Sequence, residues 1–291
     1  MEDSTPAIAG PLAADDLAAL ARAKRALERA PLAMKLAGAA GAPVERLIAR
    51  LPEAAHETIA EATRRALDKC LQAALASLGV RGEVDGLLPV GSTASAKARD
   101  LWHKLAVATT GAAGGAFGLL ALPAELPVTT TLMFRSICDI ARSEGEDLRT
   151  IETQLQCLSV FGLGGGTRSK REQANEEAEF GYFIARGALA QAISKASSDF
   201  ASKSFASHGT PALLRLMNAI AARFSVQVSE QVAAKSIPAI GAVLGAVVNT
   251  AFIDHFQQTA HGHFTIRRLE RQYGTEVVQT AYSAIDLSPL R

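Results

Sequence analysis

LAVATTGAAGGAFGLLALPAELPVTTTLMFR, residues 105–135, carries a single charged side chain, Glu125, before its terminal arginine. The first twenty residues, Leu105 to Ala124, have none. A helix that is apolar on every face has to be covered, either by other helices or by lipid, so this stretch sets the terms for the rest of the chain. Pro123 and Pro127 follow four residues apart. A proline inside a helix lacks the backbone donor and clashes with the turn before it. LPAELP is therefore expected to separate two helices, the second running from Val128 to Ser143.

A second uncharged run covers eighteen residues, Ser236 to Ile253, and continues without a breaker into a polar, amphipathic stretch that ends at Tyr273 before Gly274. Gly111, Gly114, Gly115 and Gly118 punctuate the first run, and Gly241 with Gly245 makes a GxxxG in the second. Interior glycines cost about 0.5–1 kcal/mol each relative to alanine, so their accumulation points to close helix packing that compensates. Around these runs lie amphipathic stripes. Ile59, Thr63, Leu67, Leu71, Leu75 and Leu78 recur at helical spacing, as do Leu213, Met217, Ile220, Phe224, Val228 and Val232. A first helix is expected from about Leu12 to Ala30, with Leu17, Leu20 and Leu27 on its inner face.

Glu146 and Asp147 are expected to open a helix reaching Phe161, since acidic residues suit the positive end. Ser169 with Glu172 has capping-box spacing, and Thr210 with Pro211 reads as an N-cap and first-turn pair. No segment alternates as a strand does. The expected fold is all-α: a bundle of about nine to eleven helices around two uncharged Gly/Ala-rich central helices. Residues 1–11 read as a disordered tail, 12–80 as an N-terminal helical subdomain, 81–96 as a loop and 97–291 as the main bundle, packed with the N-terminal helices as one compact unit.

Hydrophobic residues make up 48% of the 291 and aromatics only 5%, so the core material is mostly aliphatic and small, which favours helices over strands. A net charge of +1 offers no basic stripe for phosphate, and nucleic acid is excluded as a partner on that ground. Cys70, Cys138 and Cys157 are odd in number and far apart in sequence, as free buried thiols in a reducing compartment would be. The acidic N-terminus lacks a secretory pattern, so a cytoplasmic protein is expected, with attachment to the inner face of the cell membrane open to it.

Four stretches, GAPVERLIARLP, GLLALPAELPVTTTLMFRSICDIARSEGEDL, QCLSVFGLGG and SIPAIGAVLGAVVNTAFIDHFQQTAHGHFTIRRLERQYG, together resemble the EcsC family over Gly41 to Gly274. The most specific piece is the proline-flanked break followed by a helix that ends in EGEDL. The resemblance implies a bacterial protein of a family named from a neighbour of an ABC transporter gene, with membrane association. It supplies no catalytic residues.

Each candidate constellation has a plain structural reading beside it. GLGGGTRSK, residues 162–170, lacks the Gly-Lys-Ser order of a phosphate loop and follows a helix, so it reads as a helix-ending loop. His255, His261 and His263 are spaced by six and two residues, which does not converge three imidazoles on one helical face, and they read as polar helix surface. No G-x-S-x-G elbow marks a nucleophile. Glu125, Arg135 and Asp139 interrupt the most apolar region as buried polar candidates; Arg135 and Asp139 can pair one turn apart, and Glu125 can cap the helix after the break. No catalytic residue, cofactor or metal is expected.

Twenty and eighteen uncharged residues reach spanning length, but the first run is rich in Ala, Gly and Thr, which insert weakly, and a return arm would carry Arg135 and Asp139 into lipid. A bundle that hides these helices and presents Phe117, Leu119, Leu120 and Leu122 to membrane lipid or to a membrane protein is the expected form. The functional expectation is a noncatalytic, membrane-proximal accessory protein. Its alternative is a carrier or enzyme for a lipid or acyl chain bound between helices.

Overall fold

The computed structural model describes residues 12–28, 46, 48–49, 51–79, 122–163, 181–202, 210–235 and 241–287. Among these residues there are eight α-helices and no strand: α1 (Ala14–Leu27), α2 (Glu53–Gly79), α3 (Leu122–Ser143), α4 (Ile151–Leu163), α5 (Gly181–Ser202), α6 (Pro211–Lys235), α7 (Gly241–Tyr273) and α8 (Thr275–Ala284). The chain is all-α, as its periodicity implies. Expected elements at 81–96, at 105–121 and at the Ser169 capping box lie outside the described residues.

The α6 stripe folds as read, and the α2 stripe does so as far as Leu67; beyond it Cys70 and Ala74 are buried and Leu71, Leu75 and Leu78 only half-buried. Ile59 and Leu67 of α2, and Leu213, Met217, Ile220, Phe224, Val228 and Val232 of α6, are all buried. Thr210 caps α6, accepting the Leu213 N–H on its hydroxyl at 3.3 Å. Pro211 follows as the first helical residue, where its missing donor costs nothing.

The helix enclosed on every side is α4. Its residues from Thr153 to Gly162 are all buried, and α2, α3, α5, α6 and α7 pack around it. Thr150 starts it, accepting the Thr153 N–H at 3.2 Å, so the helix opens five residues after Gly145 and not at Glu146. Its interior position explains why QLQCLSVFG shows no clean stripe: a helix covered all round has no polar face to alternate with. The two uncharged runs were expected at the centre. The first lies outside the described residues except for Leu122–Ala124, and the second supplies the opening of α7, where Val248, Phe252 and Ile253 are buried.

Pro127 does not break the chain. It lies inside α3, which begins at Leu122, so the expected break between Ala124 and Val128 is replaced by one continuous helix. Pro123 falls in the first turn, where backbone donors have no partner in any case, and only the Pro127 position forfeits a helical bond.

Helices α3 and α7 run parallel, linked in three successive layers: Asn249 to Glu125 at 3.0 Å, Gln257 to Ser136 at 2.8 Å and Thr265 to Glu144 at 3.0 Å. Helix α6 returns antiparallel to α7. Phe224 of α6 stacks against Phe161 of α4 at 4.8 Å and against Phe256 of α7 at 5.5 Å, and Phe161 meets Phe256 at 5.3 Å, so one aromatic cluster joins three helices.

Helix α1 belongs to a smaller cluster, in which Leu20 and Ala23 pack with Ile266 and Leu269 of α7 and with Val278 and Tyr282 of α8. Leu17, expected on the inner face, is 44% exposed, while Lys24 is buried. The lysine crosses to the end of α8, donating to the Tyr282 and Ile285 carbonyls at 3.0 and 2.8 Å, where the helix dipole is negative. α1 approaches α7 closely at Gly262, where a β-carbon would stand 2.6 Å from Leu27 Cγ and 3.1 Å from the Ala23 carbonyl oxygen. Gly262→Ala is therefore expected to destabilise the fold by about 1–3 kcal/mol through overpacking. Urea unfolding should show the loss, and limited proteolysis should cut α1 before the other helices. An alanine variant as stable as the parent would mean that α1 has room to shift.

Candidate functional site

Three polar clusters lie at different levels along α7. The first sits where α3 and α7 begin and α6 ends. Lys235, the last residue of α6, pairs with Glu125 at 2.8 Å, each side chain 10% exposed. Asn249 donates to the same carboxylate oxygen at 3.0 Å and accepts from Gln231 at 2.7 Å. The four side chains thus bind three helix ends into one hydrogen-bonded set. Burial pulls the Lys235 ammonium below its ordinary pKa and Glu125 pulls it back. Glu125 was expected as a buried polar candidate or a cap, and here its charge is spent on a lysine that is distant in sequence.

The second cluster surrounds His263, which is fully buried. The Tyr182 hydroxyl of α5 meets its Nδ1 at 2.7 Å, while Nε2 has no hydrogen-bond partner. One turn farther along α5 and two along α7, Arg186 bonds Glu270 at 2.8 Å. Burial, followed by the nearby Arg186 and Arg267 charges, holds the imidazole well below its ordinary pKa, so it is neutral at pH 7. The reading of all three histidines as polar surface fails at this residue. His255 and His261 are half-buried. Among the described residues, no group of three His, Cys, Asp or Glu side chains could hold a metal ion.

The third cluster is built on the EGED turn between α3 and α4. Gly145 has φ +81°, in the left-handed region that favours glycine, and this turns Glu144 and Glu146 toward α7. Arg267 bonds Glu146 at 2.8 Å, and Arg271 reaches both Glu146 and the Glu144 carbonyl. Arg268 bridges Glu144 at 2.9 Å to Asp16 of α1 at 3.1 Å, and Tyr273 donates to Asp16 at 2.7 Å. Burial works against ionised Glu146, but the two arginines win and hold it below the usual carboxylate range. This ion-pair clasp is the physical content of the EGEDL sequence.

The other expected residues are placed as follows. Phe117, Leu119, Leu120, Gly111, Gly114, Gly115 and Gly118 lie outside the described residues. Leu122 is buried in the main core, so it faces inward and not toward a surface. Arg135 and Asp139 are half-buried on α3. Gly241 and Gly245 lie in the opening turns of α7, and the close approaches the structure describes are at Gly262 and at Gly162, against Leu189 and Ile220. Cys70 and Cys157 are buried and Cys138 half-buried, all three free. Burial raises the Cys70 and Cys157 thiols, with Cys138 adding in the same direction at both, so the three sulfurs gather in space from α2, α3 and α4. Cys70 and Cys157 are therefore poor nucleophiles at neutral pH.

Sequence reading missed Lys235, Asn249, Gln231 and the Tyr182–His263 pair. The one available signal was Lys235 itself, a lone lysine at the edge of an uncharged run. Among the described residues, no helix is long and apolar enough to cross a membrane.

Comparison with known proteins gives no match among curated proteins or solved structures. The model of the EcsC protein family matches residues 14–269. That span begins at the first residue of α1 and takes in the first polar cluster whole and the other two as far as Leu269, with Glu270, Arg271 and Tyr273 beyond it. The chain belongs to the EcsC protein family.

Proposed function

We propose that this chain is a noncatalytic accessory protein that works at a membrane, attaching itself to lipid through its uncharged region. One observation carries the reading. From Leu105 to Phe134 the sequence has a single charge, Glu125, and the fold neutralises it with Lys235. A paired, hydrogen-bonded ion costs far less to bring near hydrocarbon than a free one. Phe117, Leu119 and Leu120 are the side chains proposed to meet lipid. The noncatalytic part is supported by how the ionisable groups are used: Glu144, Glu146 and Glu270 are bound to arginines, and Lys24 to helix-end carbonyls.

Flotation of the purified full chain with lipid vesicles tests the reading. A substantial fraction is expected to rise with vesicles and to stay at the bottom of the gradient without them. A folded chain that rises with no vesicle composition would remove the proposal.

A further inference from the structure

We infer that the first turns of α5, Tyr182–Arg186, form a hinged flap over His263 that opens by bending at Gly187, and opens more often as the surroundings turn acidic. The flap is independent of the membrane reading above.

Helix α5 is shared between the two hydrophobic clusters. Leu189, Ile193 and Ala196 are buried in the main core, where α4 and α6 pack on them, whereas Tyr182 and Phe183 pack against the smaller cluster of α1, α7 and α8. Side-chain contacts make that second attachment. The Tyr182 hydroxyl meets His263 Nδ1 at 2.7 Å, the Phe183 ring stands edge-on to Tyr282 at 5.0 Å, and Arg186 bonds Glu270 at 2.8 Å. Gly187 lies between the two anchored parts. It is exposed, inside the helix, and a β-carbon there would find nothing within 4 Å, so no close approach in this chain calls for a glycine. An interior glycine weakens a helix and eases a bend, as a hinge between two anchors requires.

His263 makes the flap answer to pH. Its ring is fully buried, Nδ1 is taken by Tyr182, and Nε2 has no hydrogen-bond partner. An imidazolium in the closed form would therefore be a charge without water and with one N–H unbonded. The charges around it do not help. Arg186 on α5 and Arg267 on α7 repel it, Glu270 is bound to Arg186, and Glu146 of the α3–α4 turn is bound to Arg267 and Arg271. On α1, Lys24 is committed to Glu28 and to the carbonyls that end α8, and Asp16 to Arg268. From α8 comes the uncharged Tyr282. Opening lets the ring meet water and take up its proton near pH 6.5, so protons favour the open form. The Arg186–Glu270 pair, which opening has to break, keeps the closed form in the majority. In the open form Tyr182 and Phe183 join Ile184, already 65% exposed, as three consecutive large apolar side chains facing water.

Amide hydrogen exchange of the full chain, expressed as protection factors at pH 7.5 and 5.5, tests the inference. The N–H groups of Gly187 to Ala190 bond across the hinge to the carbonyls one turn back and so report the bend. Their protection is expected to be lower than that of Phe252 to Phe264 in α7, and to fall about tenfold from pH 7.5 to 5.5. His263→Asn, which takes up no proton in this range, should remove the fall. Gly187→Ala should raise the protection of these amides at both pH values, and its site has room for the methyl group. If His263→Asn lacks the helical circular dichroism of the parent, the fall in the parent and the effect of Gly187→Ala carry the test. Equal protection in α5 and α7 at both pH values would mean that His263 titrates only when the whole bundle unfolds, and there would be no flap. Protection of Gly187 to Ala190 that ignores pH, or a fall that survives in folded His263→Asn, would overturn the link to His263. A Gly187→Ala chain that exchanges like the parent would overturn the hinge.

Discussion

Lys235→Met is expected to destabilise the fold by about 3–5 kcal/mol, because it leaves the Glu125 carboxylate buried with no counter-charge. The pair is 10% exposed on each side, so water does little to screen the loss. Asn249 still donates one hydrogen bond, which compensates in part. The double variant Glu125→Gln with Lys235→Met should recover most of the lost stability, since it removes both charges and keeps an amide for Asn249 to bond. Urea unfolding of parent, single and double variants decides the matter. A single variant within about 1 kcal/mol of the parent would show that the carboxylate finds water or another partner, and that the three helix ends are not tied by this pair.

Acidification from pH 7.5 to 5.5 is expected to destabilise the fold by on the order of 1 kcal/mol, roughly a tenfold rise in the unfolding constant, through His263 alone. The unfolded chain carries an ordinary histidine that takes up its proton near pH 6.5. The folded chain holds the same ring well below that value, so between the two the unfolded state binds more protons and gains on the folded one. The contribution of His263 is complete above about pH 6.5 and falls away as pH drops through that value toward the folded pKa. The groups facing it work against protonation or do not change it. Arg186 from α5 and Arg267 from α7 repel the imidazolium, the Tyr182 hydroxyl is pushed up by burial, and Glu270 and Glu146 are engaged by those same arginines. A second loss follows at lower pH, because Glu146, Asp16 and Asp147 are held below their ordinary values, and their stabilisation disappears as each takes up its proton. His263→Asn should flatten the profile between pH 7.5 and 5.5 and leave the lower step in place. A slope in that window that survives the substitution would assign it to another group.

The helices were legible in the sequence wherever burial is one-sided. The stripes of α2 and α6 were readable because polar residues alternate with apolar ones at helical spacing, and Thr210–Pro211 marked a start by its own chemistry. Helix α4 was found as a segment but not as the centre, since a helix covered on all sides loses the contrast that periodicity depends on. Pro127 misled because a proline in the second turn of a helix costs one hydrogen bond, and the packing of Leu126, Thr129 and Thr130 into the core outweighs it. Of the polar candidates, Glu125 could be singled out as the one charge in a long uncharged stretch. Its partner could not, because Lys235 lies 110 positions away and only the packing of α3 against the α6–α7 turn brings them together. His263 was misread for a related reason: spacing along one helix says which face a ring shares with its neighbours, but not that α5 places Tyr182 over that face.

Hydrogen–deuterium exchange of the full chain, with and without phosphatidylcholine vesicles, is the most direct check on whether this protein meets lipid through its uncharged region. With vesicles bound, exchange should slow in the opening turns of α3 and α7, from Leu122 to Thr131 and from Gly241 to Asn249. The EGED turn and Arg267 to Tyr273 should exchange as they do without lipid. Protection confined to the EGED turn or to α1, with the openings of α3 and α7 unchanged in a chain shown to be vesicle-bound, would contradict attachment through the uncharged region.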